Sequence, residues 1–233
     1  MNNADMASSD NSTLTQRAYA ALRQDILSGA LVAGARLRIE ALKNRYGIGP
    51  TPLREALSRL AADGFVLSEE NRGFSIPPMS LADLRDITDQ RKLVECAALR
   101  SAIERMDDEF ESQVLAAYYK LSRLDERLGS DTGEVLAEWE ARHRAYHRAL
   151  NLGARSPWLT KFQEILYDQA DRYRRLYLPH TRVPQAVVVD HKEILDATLD
   201  RNAGRACELL ANHIERVFQI ASQSPVFAEE VRP

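Results

Sequence analysis

Residues 47–65 read GIGPTPLREALSRLAADGF, and this stretch decides the fold of the first third of the chain. Its apolar residues recur at the three- and four-residue spacing of one helical face: Leu53, Ala56, Leu57 and Leu60. Thr51 precedes them as a suitable N-cap, and Pro52 suits the first helical position. The pattern therefore predicts a helix that runs from Leu53 to Ala62 and ends at Asp63-Gly64.

Shorter elements surround this helix and complete a recognisable outline. Apolar periodicity predicts two preceding helices, and two β-like runs follow on either side of a turn. The predicted elements are helices over 14–27 and 39–46, an extended stretch over 35–38, and strands over 65–68 and 74–77. Three helices followed by a hairpin within 13–77 predict a winged helix-turn-helix.

The predicted third helix carries residues that suit DNA. A recognition helix offers its first turn to base edges, while neighbouring basic groups and the wing hold phosphates. Arg54 lies in that first turn, and its guanidinium can bind a guanine or a phosphate through two hydrogen bonds. The candidate DNA contacts are Arg38, Thr51, Arg54, Arg59, Arg72 and Gly73. Alternatively, Arg54 and Arg59 only solvate a helix face and pair with Glu55.

Composition and charge place the chain among soluble intracellular proteins. The 233 residues carry a net charge of −3, yet residues 13–77 hold nine basic against six acidic side chains. Two cysteines are compatible with a reducing compartment, and no basic-then-apolar leader or membrane-length apolar run occurs. We therefore expect a cytoplasmic protein without membrane contact, with a disordered tail at residues 1–12.

The second half of the chain predicts only helices. Pro77-Pro78 resists helix continuation and marks a linker at 78–80. Helices are predicted over 81–106, 109–128, 133–151, 157–178, 185–200 and 203–222. The fold is therefore expected to be mainly α, with an all-α bundle of about six helices over 81–222 and a tail at 223–233.

Four of the five histidines fall on inward faces of these predicted helices. His143 and His147 are four residues apart, and His191 and His213 each share a stripe with aliphatic residues. Buried imidazoles each need a polar partner, and convergence on one divalent cation, with Zn and Ni as candidates, would satisfy all four. The alternative is four separate core histidines, each with one hydrogen bond, in a domain that serves only to dimerise.

Two arginines also occupy inward positions where leucine would be expected. Arg91 and Arg172 would be costly to bury without partners. They would suit a clamp for the carboxylate of a small effector, with Tyr146 as a further candidate contact. A structural ion pair between Arg91 and Glu95 is the alternative.

The N-terminal third resembles a known family. The segments AGARL, IEALKNRYGIGPTPLREALSRLAADGFV and NRGFSI are similar to the DNA-binding domain of GntR-type transcriptional regulators. The resemblance implies DNA contact by Thr51 and Arg54. Gly49-Pro50 stands where the family often has Ser-Arg or Thr-Arg, so one base-reading arginine of the family is missing.

The helical part, over about 80–222, resembles the FCD-type ligand-binding domain of the FadR branch of GntR regulators. The family's inward arginine matches Arg91, and its histidine pattern matches His147, His191 and His213, with His143 in place of the usual aspartate. The resemblance implies metal binding and an organic-acid effector. WEARHRAYHRAL and ADRYRRLY look most similar to regulators of carbon starvation and of glutarate or 2-hydroxyglutarate catabolism.

Together these observations predict a homodimeric transcription factor, most readily a repressor, that reads a pseudo-palindromic operator. A small dicarboxylate or hydroxy acid would bind the metal and the arginines and would modulate operator binding. A metal-dependent hydrolase or lyase on the helical bundle is the alternative, and it would need a general base beside an open metal position.

Overall fold

The computed structural model describes residues 13–69, 73–125, 133–178, 183–224 and 227. The chain divides into two compact units, residues 1–79 and residues 80–233. In the described part of the chain, no helix is both long and apolar enough to span a bilayer.

The first unit is a three-helix domain with a small antiparallel sheet, as expected for a winged helix-turn-helix. Its elements are α1 (Leu14–Leu27), β1 (Arg36–Leu37), α2 (Ile39–Tyr46), α3 (Pro50–Ala62), β2 (Leu67–Glu69) and β3 (Gly73–Ser75). The strand order is β1-β3-β2, and Phe74 of β3 lies opposite Leu37 on one side and Ser68 on the other. A helix-turn-helix followed by a hairpin is thus confirmed.

The beginning of α3 differs from the sequence-based expectation. Gly49 occupies the N-cap position and Pro50 begins the helix, so the prediction of Thr51 as the N-cap was wrong. The reason lies in the first turn, whose N–H groups have no partner inside the helix. Pro50 and Pro52 lack an N–H, and both fit there without losing a hydrogen bond. Farther along, Leu53 and Leu57 are fully buried in the domain core, as the periodicity predicts.

The second unit consists of six described helices that match the predicted set. They are α4 (Leu81–Glu104), α5 (Asp108–Asp125), α6 (Gly133–Leu152), α7 (Pro157–Tyr177), α8 (Gln185–Leu199) and α9 (Ala203–Ser222). α4 packs against α7 and α9, α5 against α6, and α8 against α9. Their apolar faces form one core that includes Leu99, Leu121, Leu150 and Leu210. The prediction of an all-α bundle is confirmed.

A charged cluster joins α4 to α9 at the rim of this core. Glu215 accepts hydrogen bonds from Arg85 at 2.7 and 2.8 Å and contacts the Lys92 ammonium. The hydrogen bonds from Arg85, with a further contribution from Lys92, lower the pKa of Glu215 to about 2 from an ordinary value of 4.5. The ionised carboxylate is therefore the form that holds the two helices together.

We expect Glu215→Gln to lower the free energy of unfolding by about 1 kcal/mol at pH 7, because the cluster is partly solvated. A carboxyl group whose pKa is lowered by folding stabilises the protein above its unfolded pKa and loses that effect as pH falls. In urea titrations the difference from wild type should shrink progressively as pH falls from 4.5 towards 2. Glu208→Gln, which removes one exposed i,i+3 pair with Arg205, is the control and should change stability by less than about 0.5 kcal/mol. Equal losses in the two variants would contradict this interpretation.

Candidate functional site

The helix-turn-helix presents one polar face of α3. Gly47 ends α2 in the left-handed conformation, at φ 65°, which L-residues with side chains rarely adopt. The sharp turn lets α3 bury Leu53 and Leu57 while Thr51 and Arg54 in its first turn remain exposed. This is the arrangement in which a recognition helix can enter a major groove.

Arg54 stands apart from the other charged groups near it. Glu55 accepts a hydrogen bond from the Thr15 hydroxyl at 2.8 Å, and the Arg59 guanidinium lies 4.9 Å from the centre of the Tyr19 ring. Within the residues that the structure describes, Arg54 has no hydrogen bond or ion pair. The alternative in which Glu55 pairs with Arg54 and Arg59 is therefore not what the structure shows, and Arg54 is available to a ligand.

The other candidate DNA contacts lie around this helix. Arg38 is exposed and occupies the N-cap position of α2, without a side-chain capping bond. Gly73 begins β3, pairs with Glu69 of β2, and is exposed at φ 84°. Arg72 lies outside the described residues.

The four inward histidines meet in the interior of the second unit. His143 and His147 come from α6, His191 from α8 and His213 from α9, and one ligand atom from each lies within 4.8 Å of the others. Their ring centres are 4.5 to 6.0 Å apart, and each residue is at most 3% exposed. Trp139, one turn before His143 on α6, stacks on that ring at 4.7 Å. The four histidines that apolar periodicity placed on inward helix faces are therefore buried and lie close together.

Groups outside the cluster face Nδ1 of three of the four rings, and two of them are within hydrogen-bond distance. The Tyr167 hydroxyl lies 2.8 Å from His143 Nδ1, and an Asp190 carboxylate oxygen lies 3.3 Å from His213 Nδ1. The Glu95 carboxylate is 3.7 Å from His147 Nδ1. Ionised carboxylates only accept hydrogen bonds, so Glu95 and Asp190 favour the tautomers of His147 and His213 that carry the proton on Nδ1. The unprotonated Nε2 atoms of these two rings are then left for the cluster.

Burial keeps the imidazoles neutral. It lowers the pKa of His143 and His191 well below the ordinary value of 6.5, and neighbouring histidines lower both further. Burial is also the main cause that lowers the pKa of His147, to about 4, although Glu95 opposes it. Both ring nitrogens of His191 are buried without a hydrogen-bond partner in the described structure. Neutral imidazoles with inward lone pairs are the form that binds Zn²⁺ or Ni²⁺, so this donor set fits a divalent ion.

Arg91 lies beside the cluster and is itself paired. Its Nε donates to Glu95 at 2.7 Å, and both side chains are buried. Burial alone would raise the pKa of Glu95, but the Arg91 charge and the His147 ring outweigh it and lower that pKa to about 2. The structural ion pair considered for Arg91 is thus present, and it still leaves the terminal guanidinium nitrogens as donors.

Arg172 is buried as expected, but the structure does not bring it to the histidines. Its guanidinium donates to Gln169 at 2.9 Å, and its charge lies near Asp83. Asp83 precedes Glu95 by twelve residues on α4, so the two are about 18 Å apart along the helix axis. Because Glu95 faces His147, a guanidinium near Asp83 lies far from the cluster. Instead Arg174, two residues later on α7, carries a charge that lowers the pKa of His143. Positions 172 and 174 point in nearly opposite directions on a helix, so only one of them can face the cluster.

Arg174 and Tyr146 both have protein partners. Arg174 donates to Glu140 at 3.1 Å and contacts Asp171, which compensates its charge in the interior. The Tyr146 hydroxyl donates to the backbone carbonyl of His191 at 2.9 Å, and its ring lies edge-on to His191. The Tyr146 hydroxyl thus holds α8 against α6, and a contact between Tyr146 and an effector stays a prediction.

Sequence reasoning missed three groups around the histidine rings. Asp190 binds His213 and Tyr167 binds His143, and the sequence analysis identifies neither of them. Glu95 is predicted there only as the partner of Arg91, yet its carboxylate also faces His147. Asp190 and Tyr167 reach their histidines from different helices, so no spacing in the sequence marks these pairs. Glu95 does lie four residues after Arg91, one helical turn away, and that spacing was the available signal.

Comparisons with known proteins agree for both units. Residues 14–76 match the family described as bacterial regulatory proteins, gntR family, and residues 86–216 match the FCD domain. The chain is 41% identical over 211 residues to the uncharacterized HTH-type transcriptional regulator BphR of Paraburkholderia xenovorans, covering 91% of this chain and 86% of the relative. It is 36% identical over 210 residues to the HTH-type transcriptional repressor GlaR of Escherichia coli, covering 88% and 94%.

Solved structures show the same fold. The structure of McbR/YncC from E. coli matches with a TM-score of 0.74 at 21% identity, and it covers 91% of this chain and 98% of that one. A transcriptional regulator described as GntR from Rhodococcus matches with a TM-score of 0.70 at 24% identity, covering 91% and 99%. The relatives are regulators and not enzymes, so the hydrolase or lyase alternative is not supported. The chain belongs to the GntR family and is a DNA-binding transcriptional regulator with a C-terminal FCD domain.

Proposed function

We propose that this protein is a homodimeric, cytoplasmic repressor whose FCD domain binds one divalent metal ion and a small organic acid. The acid, a dicarboxylate or hydroxy acid, modulates operator binding. Glutarate and 2-hydroxyglutarate are the first compounds to test. The description of the relative GlaR as a repressor supports repression, rather than activation, of the target genes. A homodimer would place two copies of α3 on the half-sites of a pseudo-palindrome.

The convergence of four buried, neutral imidazoles is the observation that carries this proposal. Without an ion, the two nitrogens of His191 would lie in the interior with nothing to bind, at a cost in folding free energy. His143, His147, His191 and His213 would be the metal ligands. An all-nitrogen donor set suits Zn²⁺ or Ni²⁺.

The charges around the cluster favour an anionic effector. The ligand set has no carboxylate, and the two nearby carboxylates are each paired: Glu95 with Arg91, and Asp190 with Arg216 at 2.9 Å. A bound divalent ion would therefore keep most of its positive charge, which attracts an anion. The terminal nitrogens of Arg91 would hold one carboxylate of that anion.

Coupling to DNA needs an effector that binds one arrangement of the helical domain better than another. Arg91 and Glu95 lie on α4, which is the first helix after the linker at 78–80. A ligand that moves the Arg91–Glu95 pair would thus act on the helix that leads to the DNA-binding domain. We propose this helix as the element through which binding at one site changes affinity at the other.

Arg54→Ala should weaken operator binding about 5- to 150-fold, because an arginine that binds a base through two hydrogen bonds contributes about 1–3 kcal/mol. The measurement is a gel-shift titration on DNA upstream of the protein's own gene, at fixed salt and with competitor DNA. Arg59→Ala is the matched control, since that guanidinium stacks on Tyr19, and it should have the smaller effect. If the wild type binds the operator and Arg54→Ala binds it with the same affinity, Arg54 does not contact DNA.

The proposed homodimer predicts the mass of the free protein. In analytical ultracentrifugation it should be twice the 26.3 kDa mass of one chain.

Tyr167→Phe should lower metal affinity about 10- to 100-fold, because it removes only the hydroxyl that orients His143. Competition with a chromophoric chelator would measure the affinity, and elemental analysis should give about one ion per wild-type chain. Tyr177→Phe is the control, being a buried tyrosine on the same helix without a contact to the histidines in the described structure. His147→Ala should lose the ion. If the wild type contains much less than one ion per chain, and His147→Ala does not change that content, the histidines are core residues that bind no metal.

Arg91→Lys should abolish the rise in Tm that a binding acid produces, since lysine cannot replace the planar, two-pronged guanidinium. Thermal shift with C4–C6 dicarboxylates and their hydroxy derivatives, in the presence of metal, is the measurement. Arg172→Lys is the matched control and should keep the shift, because Arg172 lies near Asp83. The reverse result would restore Arg172 as the effector contact and remove Arg91. Unchanged metal content of both variants would show that the domain is intact.

A further inference from the structure

The two cysteines of the chain meet in the effector domain. The sequence contains two cysteines in 233 residues, and they lie 111 positions apart. Cys96 on α4 donates from Sγ to the Cys207 carbonyl at 3.4 Å, and Cys207 on α9 donates from Sγ to the Cys96 carbonyl at 3.3 Å. Both are free thiols. Neither contributes to the histidine cluster, so this contact needs a separate explanation.

The geometry suits a covalent link between the two sulfurs. A disulfide requires two Cα atoms within about 7 Å and side chains that point towards each other. Each sulfur lies within 3.4 Å of the other residue's carbonyl oxygen, so both side chains occupy the same gap between α4 and α9. α4 and α9 pack closely against each other, which keeps the two residues together.

Electrostatics favour one thiolate in this pair. Interaction between the two sulfurs lowers the pKa of one thiol, Cys207, and raises that of Cys96, because a proton on one sulfur stabilises negative charge on the other. The Arg100 charge acts to lower the pKa of both thiols. Glu104 opposes the effect of Arg100 only in part. A thiolate next to a resolving thiol is the arrangement found in dithiols that oxidise reversibly.

Access limits which oxidant can react. Cys207 is 6% exposed and Cys96 is partly buried, beside the exposed Arg100. A bulky disulfide such as oxidised glutathione cannot easily approach a sulfur in this position. A hydroperoxide is small and can be uncharged, so partial exposure of one sulfur, that of Cys96, is enough for it to react with the pair.

We propose that Cys96 and Cys207 form a dithiol that a hydroperoxide converts into an intramolecular disulfide, joining α4 to α9. The thiolate of the pair attacks a peroxide oxygen, the O–O bond breaks, and for hydrogen peroxide the leaving hydroxide takes up a proton to form water. The other thiol then attacks the resulting sulfenic acid, forms the S–S bond and releases a second water. Two thiols are oxidised by one peroxide, which is reduced to two waters.

The link would fix the two helices that flank the histidine cluster. α4 carries Arg91 and Glu95, and α9 carries His213. Oxidation would therefore restrain the helices on either side of the proposed effector site. Disulfide formation would involve only the two thiols and would require neither the metal nor a particular effector.

The test uses the full chain, purified under reducing conditions and then desalted with its metal retained. After treatment with a small excess of hydrogen peroxide, thiols counted under denaturing conditions should fall from two to none. Peptide mapping should find the Cys96 and Cys207 peptides joined within one chain. Dithiothreitol should restore both thiols, and the oxidised protein should melt several degrees higher than the reduced protein, because the link closes a long loop.

Cys96→Ala and Cys207→Ala are the matched controls, since each keeps a single thiol. Neither variant should form the linked peptide or show the rise in Tm. Wild-type thiols that persist in peroxide would overturn the proposal. Links between chains, or conversion of either cysteine to sulfinic or sulfonic acid without a linked peptide, would overturn it as well.

Discussion

The structure of the effector domain depends on how it satisfies buried imidazole nitrogens. Four rings lie where water does not reach, and each brings two polar atoms into the interior. Tyr167 and Asp190 bind the outward nitrogens of two rings, and the Glu95 carboxylate faces that of a third at 3.7 Å, which favours the arrangement of nitrogens that face one another. Arginines pair with the carboxylates of Glu95 and Asp190. These pairs contribute little net charge, so the charge at the centre is that of whatever the cluster binds.

In the DNA-binding domain, one charged side chain lies exposed and unpaired within the described residues, whereas the carboxylates around the histidine cluster are buried and paired. Around α3, Glu55, Arg59 and Asp63 each interact with α1, through Thr15 and Tyr19. Arg54 is left without a partner within the described residues, on the exposed side of the same helix. A side chain that stabilises the fold cannot also reach a ligand without giving up its contact. The contacts of this helix therefore separate the residues that hold the domain together from the one most available to DNA.

Much of this architecture could be predicted from periodicity, because the relevant contacts lie within single elements. The apolar stripe of α3 and the inward faces of α6, α8 and α9 are properties of one helix each. The beginning of α3 could not be placed, because Pro50 and Pro52 both suit a first turn and their relative merit depends on the preceding Gly49. Periodicity could not show which arginine of α7 faces the histidines, because Arg172 and Arg174 are both buried, on nearly opposite sides of the helix.

The packing of Trp139 gives the protein an internal optical probe. The chain has two tryptophans, and they occupy contrasting surroundings: Trp139 is 2% exposed and stacked on His143, whereas Trp158 is 66% exposed. Their emission should differ in wavelength, with the shielded indole to the blue and the solvated one to the red. Any species that withdraws electron density from the His143 ring changes the partner of the shielded indole. The fluorescence of that one band then reports events at the cluster without an added label.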